Sequence, residues 1–278
     1  MGAKIKHQPI YEDFIHNVQK GFLLLDENSR EEVIAFVKSQ QKKSGAFIDR
    51  GGNPDLYYSL FGAWLAKALH LKELQNNLKN QTQNLIPSKN QVIDKYALLL
   101  IQLTLDENNF SKPTVFSFLK TFFYSGKNLN PAYRAFLFLL SFDAVYKRQK
   151  FLYSVLKVLL KKYRVSDDVP CSFRAALLLA RYIAGLNVEK DVLHLFEYYE
   201  EGAGFKVFKE TESADLLSTA VALFVLNKTG NDLRVVATDA LNLVQRNYDS
   251  GAFLAGNGDS VKDLEYTFYG LLILGTLS

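Results

Sequence analysis

Apolar positions along this chain recur at helical spacing and almost nowhere alternate with period two. Two kinds of segment take turns. Segments 29–41, 71–86, 111–124, 148–163, 188–200 and 232–248 carry one apolar stripe with a polar opposite side. Segments 56–69, 92–103, 133–142, 173–183, 216–226 and 264–274 are apolar nearly all round. Helices apolar on every side are normally buried, whereas striped ones face water. Six buried helices alternating with six half-exposed ones imply an all-α chain in two concentric layers. The expected architecture is a closed (α/α)6 toroid, or barrel, of six helix-pair repeats. An open solenoid built from the same pairs would need a more polar concave face.

Register supports the count of six. The inner segments begin near Asp55, Asp94, Ala132, Cys171, Asp215 and Asp263, at intervals of 38 to 48 residues. The repeats fall at about 29–69, 71–104, 110–143, 148–185, 188–227 and 231–278. Residues 1–28 are expected to add a helical extension, with a helix over 11–20 packed on the outside. No Pro/Gly/Ser-rich linker breaks the pattern, so 1–278 reads as one domain.

Three repeats share a loop-and-helix unit. Gly45-Ala46-Phe47, Gly204-Phe205 and Gly251-Ala252-Phe253 each lead to an aspartate (Asp55, Asp215, Asp263) that stands four residues before a hydroxyl (Ser59, Thr219, Thr267). An aspartate at a helix start accepts hydrogen bonds from free backbone N–H groups and favours the positive dipole end. Capping is therefore the leading role for all three.

Composition narrows the class. The chain has 278 residues, a net charge of +4, four histidines and one cysteine, Cys171. An internal disulfide and a Cys/His zinc cluster are excluded. The charge is too mild and dispersed to argue for nucleic acid. With no apolar run of about 18 residues and no leader-like start, a cytoplasmic protein is the expectation. Stretch 148–164 combines apolar residues with Lys150, Lys157, Lys161, Lys162 and Arg164, which suits packing on a neighbour or peripheral contact with an anionic membrane.

The outer helix 29–41, its Gly-x-Phe loop and the run Asp55-Leu56-Tyr57-Tyr58-Ser59 resemble the prenyltransferase and squalene/terpene cyclase repeat family. Protein prenyltransferase β-subunits are the nearest likeness. Asp168-Val169-Pro170-Cys171-Ser172-Phe173-Arg174-Ala175-Ala176 resembles a signature of those subunits, with Pro170 where they carry Arg. The resemblance implies a toroid whose cavity holds an isoprenoid, with catalytic zinc on an Asp-x-Cys and a His. The matching positions hold Asp215, Leu217 and Glu265, a set that does not suit zinc. The cyclases' Asp-x-Asp-Asp-Thr-Ala acid motif corresponds to Asp215-Leu216-Leu217-Ser218-Thr219-Ala220, which lacks the proton donor.

Beside that resemblance stand candidate residues. Lys95, Arg134 and Arg174 share one level of successive inner helices, and Lys209 joins them as a weaker match for diphosphate binding. Tyr57, Trp64, Tyr133 and Tyr266 are expected to line an isoprenoid pocket. Asp215, Glu265 and Asp55 are the candidate catalytic acids. No cofactor is assigned; a Mg²⁺-like ion on Asp55, Asp263 and Glu265 is the alternative to capping. The expected function is an isoprenoid-handling protein that binds a prenyl diphosphate or terpenoid, with catalysis left undecided between none, prenyl transfer and cyclisation. One rival is a non-catalytic toroid that binds or scaffolds a helical protein partner. The other is a carbohydrate-active toroid with two lumen carboxylates in acid and base roles.

Overall fold

A computed structural model describes residues 8–83, 85, 92–106, 110, 112–123, 131–146 and 149–278. Among them the chain is all-α, with thirteen helices and two short hairpins. The helices are α1 (Ile10–Leu24), α2 (Glu27–Ser39), α3 (Leu56–Ala68), α4 (Lys72–Thr82), α5 (Val92–Leu105), α6 (Val115–Phe123) and α7 (Pro131–Tyr146). They continue as α8 (Lys150–Lys162), α9 (Cys171–Ile183), α10 (Glu189–Phe196), α11 (Leu216–Lys228), α12 (Arg234–Arg246) and α13 (Leu264–Thr276). Every segment expected to be helical overlaps one of these helices.

The apolar helices pack in series: α3 on α5, α5 on α7, α7 on α9, α9 on α11 and α11 on α13. Helix α13 then packs on α3, so the order of contacts returns to its start. Helices α4, α6, α8, α10 and α12 each lie against an apolar helix and keep an exposed side. Burial explains the division. All of Leu216 to Leu226 in α11 is buried, whereas α12 buries only Val236, Ala240, Leu243 and Val244.

The Gly-Phe loops form antiparallel pairs that the periodicity does not reveal. Strand β1 (Tyr199–Glu200) pairs with β2 (Gly204–Phe205), and β3 (Tyr248–Asp249) with β4 (Ala252–Phe253). Their two-residue length is too short for alternation to register. Each hairpin turns the chain from an outer helix back toward the start of an apolar one.

The N-terminal helix departs from expectation. Helix α1 is not on the outside: it buries Ile10, Tyr11, Phe14, Ile15, Val18 and Gly21. The Phe14 ring lies 4.3 Å from Phe224, 5.8 Å from Phe136, and 6.1 Å from both Trp64 and Phe268. Those rings come from α11, α7, α3 and α13, so α1 fills the space between them. It enters at the helices' C-terminal ends, where Ile10 N–H donates to Asp143 Oδ2 at 3.0 Å and Asp13 pairs with Lys228 at 2.6 Å. Gly21 and Gly275 permit the approach, because a Cβ on Gly275 would stand 1.7 Å from the Asn17 carbonyl oxygen. A single apolar stripe serves equally for packing inside or outside, which is why periodicity alone misplaces this helix.

Candidate functional site

The N-terminal ends of α3, α11 and α13 carry the acids singled out from the sequence. Asp55 Oδ1 accepts from Tyr58 N–H at 2.8 Å, Asp215 Oδ1 from Ser218 N–H at 2.7 Å, and Asp263 Oδ1 from Tyr266 N–H at 2.8 Å. All three aspartates are therefore N-caps. The recurring hydroxyls have a matching role: Ser59 Oγ and Thr219 Oγ1 accept the backbone N–H of Phe47 and Phe205, each at 3.0 Å, and Thr267 Oγ1 that of Phe253 at 3.4 Å. Phe47 and Phe253 then lie over Gly62 and Gly270, where a Cβ would come within 2.4 Å of the ring. The repeated unit is a device for locking a loop onto a helix start.

Glu265 stands apart from this framework. It is 5% exposed, and the Tyr57 hydroxyl donates to its Oε1 at 2.7 Å across the α3–α13 contact. Burial raises its pKa to about 8, helped by the charges of Asp263 and Asp215 and opposed by the Tyr57 bond and Arg50. Glu265 is thus a proton-holding acid near neutrality. Burial also lifts Asp215 to about 6, against the pull of its bonds to Ser218. Asp263 is paired with Arg50 Nε at 2.6 Å, and the same guanidinium reaches Asp259 and lies over the Tyr266 ring at 5.3 Å.

The expected isoprenoid pocket is not gathered around an open space at Trp64. That side chain is 0% exposed, against Phe61 at 5.7 Å and Phe268 at 5.4 Å as well as Phe14. Tyr57 and Tyr266 are half-buried at the acidic rim, and the side chain of Tyr133 lies outside the described residues.

The four cations have the following surroundings. Arg174 is buried, donates from Nη2 to the Ser166 carbonyl at 3.1 Å, and lies 3.9 Å from Asp167. Lys209 pairs with Glu197 and sits 5.7 Å from the Tyr198 ring. Lys95 is half-buried on α5. Arg134 lines a cleft of about 690 Å³ between α7, α8 and α9, whose lining also includes Ser166, the partner of Arg174. Its walls are Phe138 and Leu139 of α7, Leu156 and Leu160 of α8, and Phe173 and Leu177 of α9, with Arg164 and Asp168 from the α8–α9 connection.

No protein family, curated protein or solved structure matches this chain.

The residues at the positions where the resemblance would place zinc, Asp215, Leu217 and Glu265, do not fit that ion. Leu217 offers no donor, Asp215 is spent on its cap, and Glu265 favours its protonated form. Among the described residues no three His, Cys, Asp or Glu side chains gather as a set able to hold a metal, the Asp55, Asp263 and Glu265 combination included. Cys171 is buried with its thiol pushed up, first by burial, which suits packing more than nucleophilic chemistry. Sequence reasoning missed Phe14 and Arg50. Nothing local marks Phe14, and Arg50 lies far along the chain from the aspartates it meets.

Proposed function

We propose that the chain is a six-repeat α/α toroid acting as a binding module for an anionic, largely apolar molecule of the prenyl-diphosphate kind. The ligand sits in the cleft between α7, α8 and α9, not in the lumen, and neither zinc nor Asp-x-Asp-Asp chemistry takes part. The return of helix contacts from α13 to α3 supports the toroid. The observation that carries the ligand class is the cleft itself: about 690 Å³, apolar walls, and Arg134 and Arg164 among its lining. Small-molecule sites are typically about 300–1,000 Å³ and apolar, with a few polar groups that orient the ligand. Arginine suits a phosphate head through paired N–H donors.

A thermal-shift titration tests this reading. Farnesyl or geranylgeranyl diphosphate at about 100 times Kd should add about 2.7 kcal/mol of stability. Arg134→Ala and Leu160→Asp should each abolish the shift. No stabilisation by either diphosphate would overturn the ligand assignment.

A second reading, a non-catalytic scaffold for a helical protein, draws support from the filled space around Phe14 and Trp64. Copurification of a stoichiometric protein partner, with no diphosphate shift, would select it. The carbohydrate reading loses its natural sugar platform, since Trp64, the one tryptophan, is 0% exposed.

A further inference from the structure

Residues 147–164 contain seven lysines and arginines and no acid. Helix α8 occupies most of this stretch and carries apolar residues on two faces. One face is spent on packing: Tyr153 is buried and donates to Asp143 at 2.8 Å, while Leu156 and Leu160 line the cleft. The other comprises Phe151, Val155, Val158 and Leu159, which recur at i, i+4, i+7 and i+8 and therefore form one stripe. They are 77%, 45%, 57% and 62% exposed. Lys150, Lys157, Lys161 and Lys162 are exposed on the same helix.

We propose that α8 seats the protein peripherally on an anionic lipid surface. Its outward stripe would enter the boundary between headgroups and acyl chains, and its lysines would meet the lipid phosphates. An exposed apolar stripe rimmed by cations is the pattern of a helix lying in a membrane interface. Nucleic acid would match the lysines but leave the stripe in water. The neighbouring acids do not neutralise the face: Asp143 is buried and engaged by Ile10 and Tyr153, and Asp167 lies toward Arg174. Contact is peripheral because no described helix is long and apolar enough to cross a membrane. Lys157 Nζ donates to the Gly185 carbonyl at 2.9 Å. Each of the other three lysines near such a surface contributes about 1 kcal/mol, which with the apolar stripe suffices for salt-sensitive binding.

Vesicle cosedimentation decides the matter, using phosphatidylcholine vesicles with and without phosphatidylserine and with no prenyl lipid. The full chain should sediment with the anionic vesicles, stay in solution with the neutral ones, and be released by high salt. Phe151→Glu/Leu159→Glu and Lys161→Glu/Lys162→Glu should each lower partitioning about tenfold or more, with melting temperatures unchanged because all four positions are exposed. Failure to bind anionic vesicles, or binding unaffected by both double variants, would overturn the proposal. So would capture by heparin without capture by vesicles. Since no diphosphate ligand is present, the outcome is separate from that of the cleft.

Discussion

Thr219 shows why a hydroxyl stands four residues after the capping aspartate. Its Oγ1 accepts the Phe205 N–H at 3.0 Å, and both groups are buried. Thr219→Val keeps the shape but leaves that N–H unpaired, so it should cost about 1–3 kcal/mol in urea unfolding. Asp55→Ala removes a cap alone and should cost about 1 kcal/mol. Glu265 makes a prediction about pH. Its folded pKa, about 8, lies above its ordinary 4.5, so the folded state holds the extra proton between those values. Stability from this group is therefore greatest below about pH 4.5 and falls as pH rises toward about 8. Glu265→Gln keeps an acceptor for Tyr57 and should flatten the profile, with a gain on the order of 2–4 kcal/mol at pH 8. An unchanged pH profile in the variant would show that Glu265 is not the titrating group.

At the scale of elements, α1 is the one whose position the pattern of residues misleads. Its stripe of Ile10, Tyr11, Phe14, Ile15 and Val18 resembles that of an outer helix, yet it inserts among four apolar helices. Phe14→Ala should open a cavity there and cost about 3–5 kcal/mol, more than a truncation on a surface helix. Gly275→Ala should also destabilise, because its Cβ would meet the backbone of α1 with no side chain free to yield. Thermal melts of the two variants would check both. If either substitution were neutral, α1 would not be held as described. Helix α8 shows the converse: its composition was legible, but only the structure separates the face that lines the cleft from the face left exposed.

Across the whole molecule, the α13–α3 contact joins the two ends of the series through few local means. Arg50 bridges it with ion pairs to Asp263 and Asp259 and a ring contact to Tyr266, and Tyr57 adds its bond to Glu265. Asp263 is buried while Arg50 is about a third exposed, so removing the guanidinium leaves a buried carboxylate short of a partner. Arg50→Ala should cost about 1–3 kcal/mol after allowance for solvent screening. Hydrogen exchange should quicken at the N-terminal turns of α3 and α13 before it does in α9. Uniform protection across these helices would show that Arg50 does not hold this junction.

The residue pattern alone determined where the helices lie, which of them after α1 are buried nearly all round, and that aspartates at their starts would cap them. These depend on neighbours within a turn or two: apolar spacing in Leu216 to Leu226, or Asp215 three residues before the N–H it accepts. The hydroxyl repeat was visible as well, although its partner in the Gly-Phe loop was not. Only the tertiary structure decided that Phe14 fills the space around Trp64, that Arg134 lines a cleft between α7, α8 and α9, and that Glu265 is desolvated enough to keep its proton. Each of these depends on atoms brought together from distant parts of the chain, and burial of a charge has no signature in local sequence.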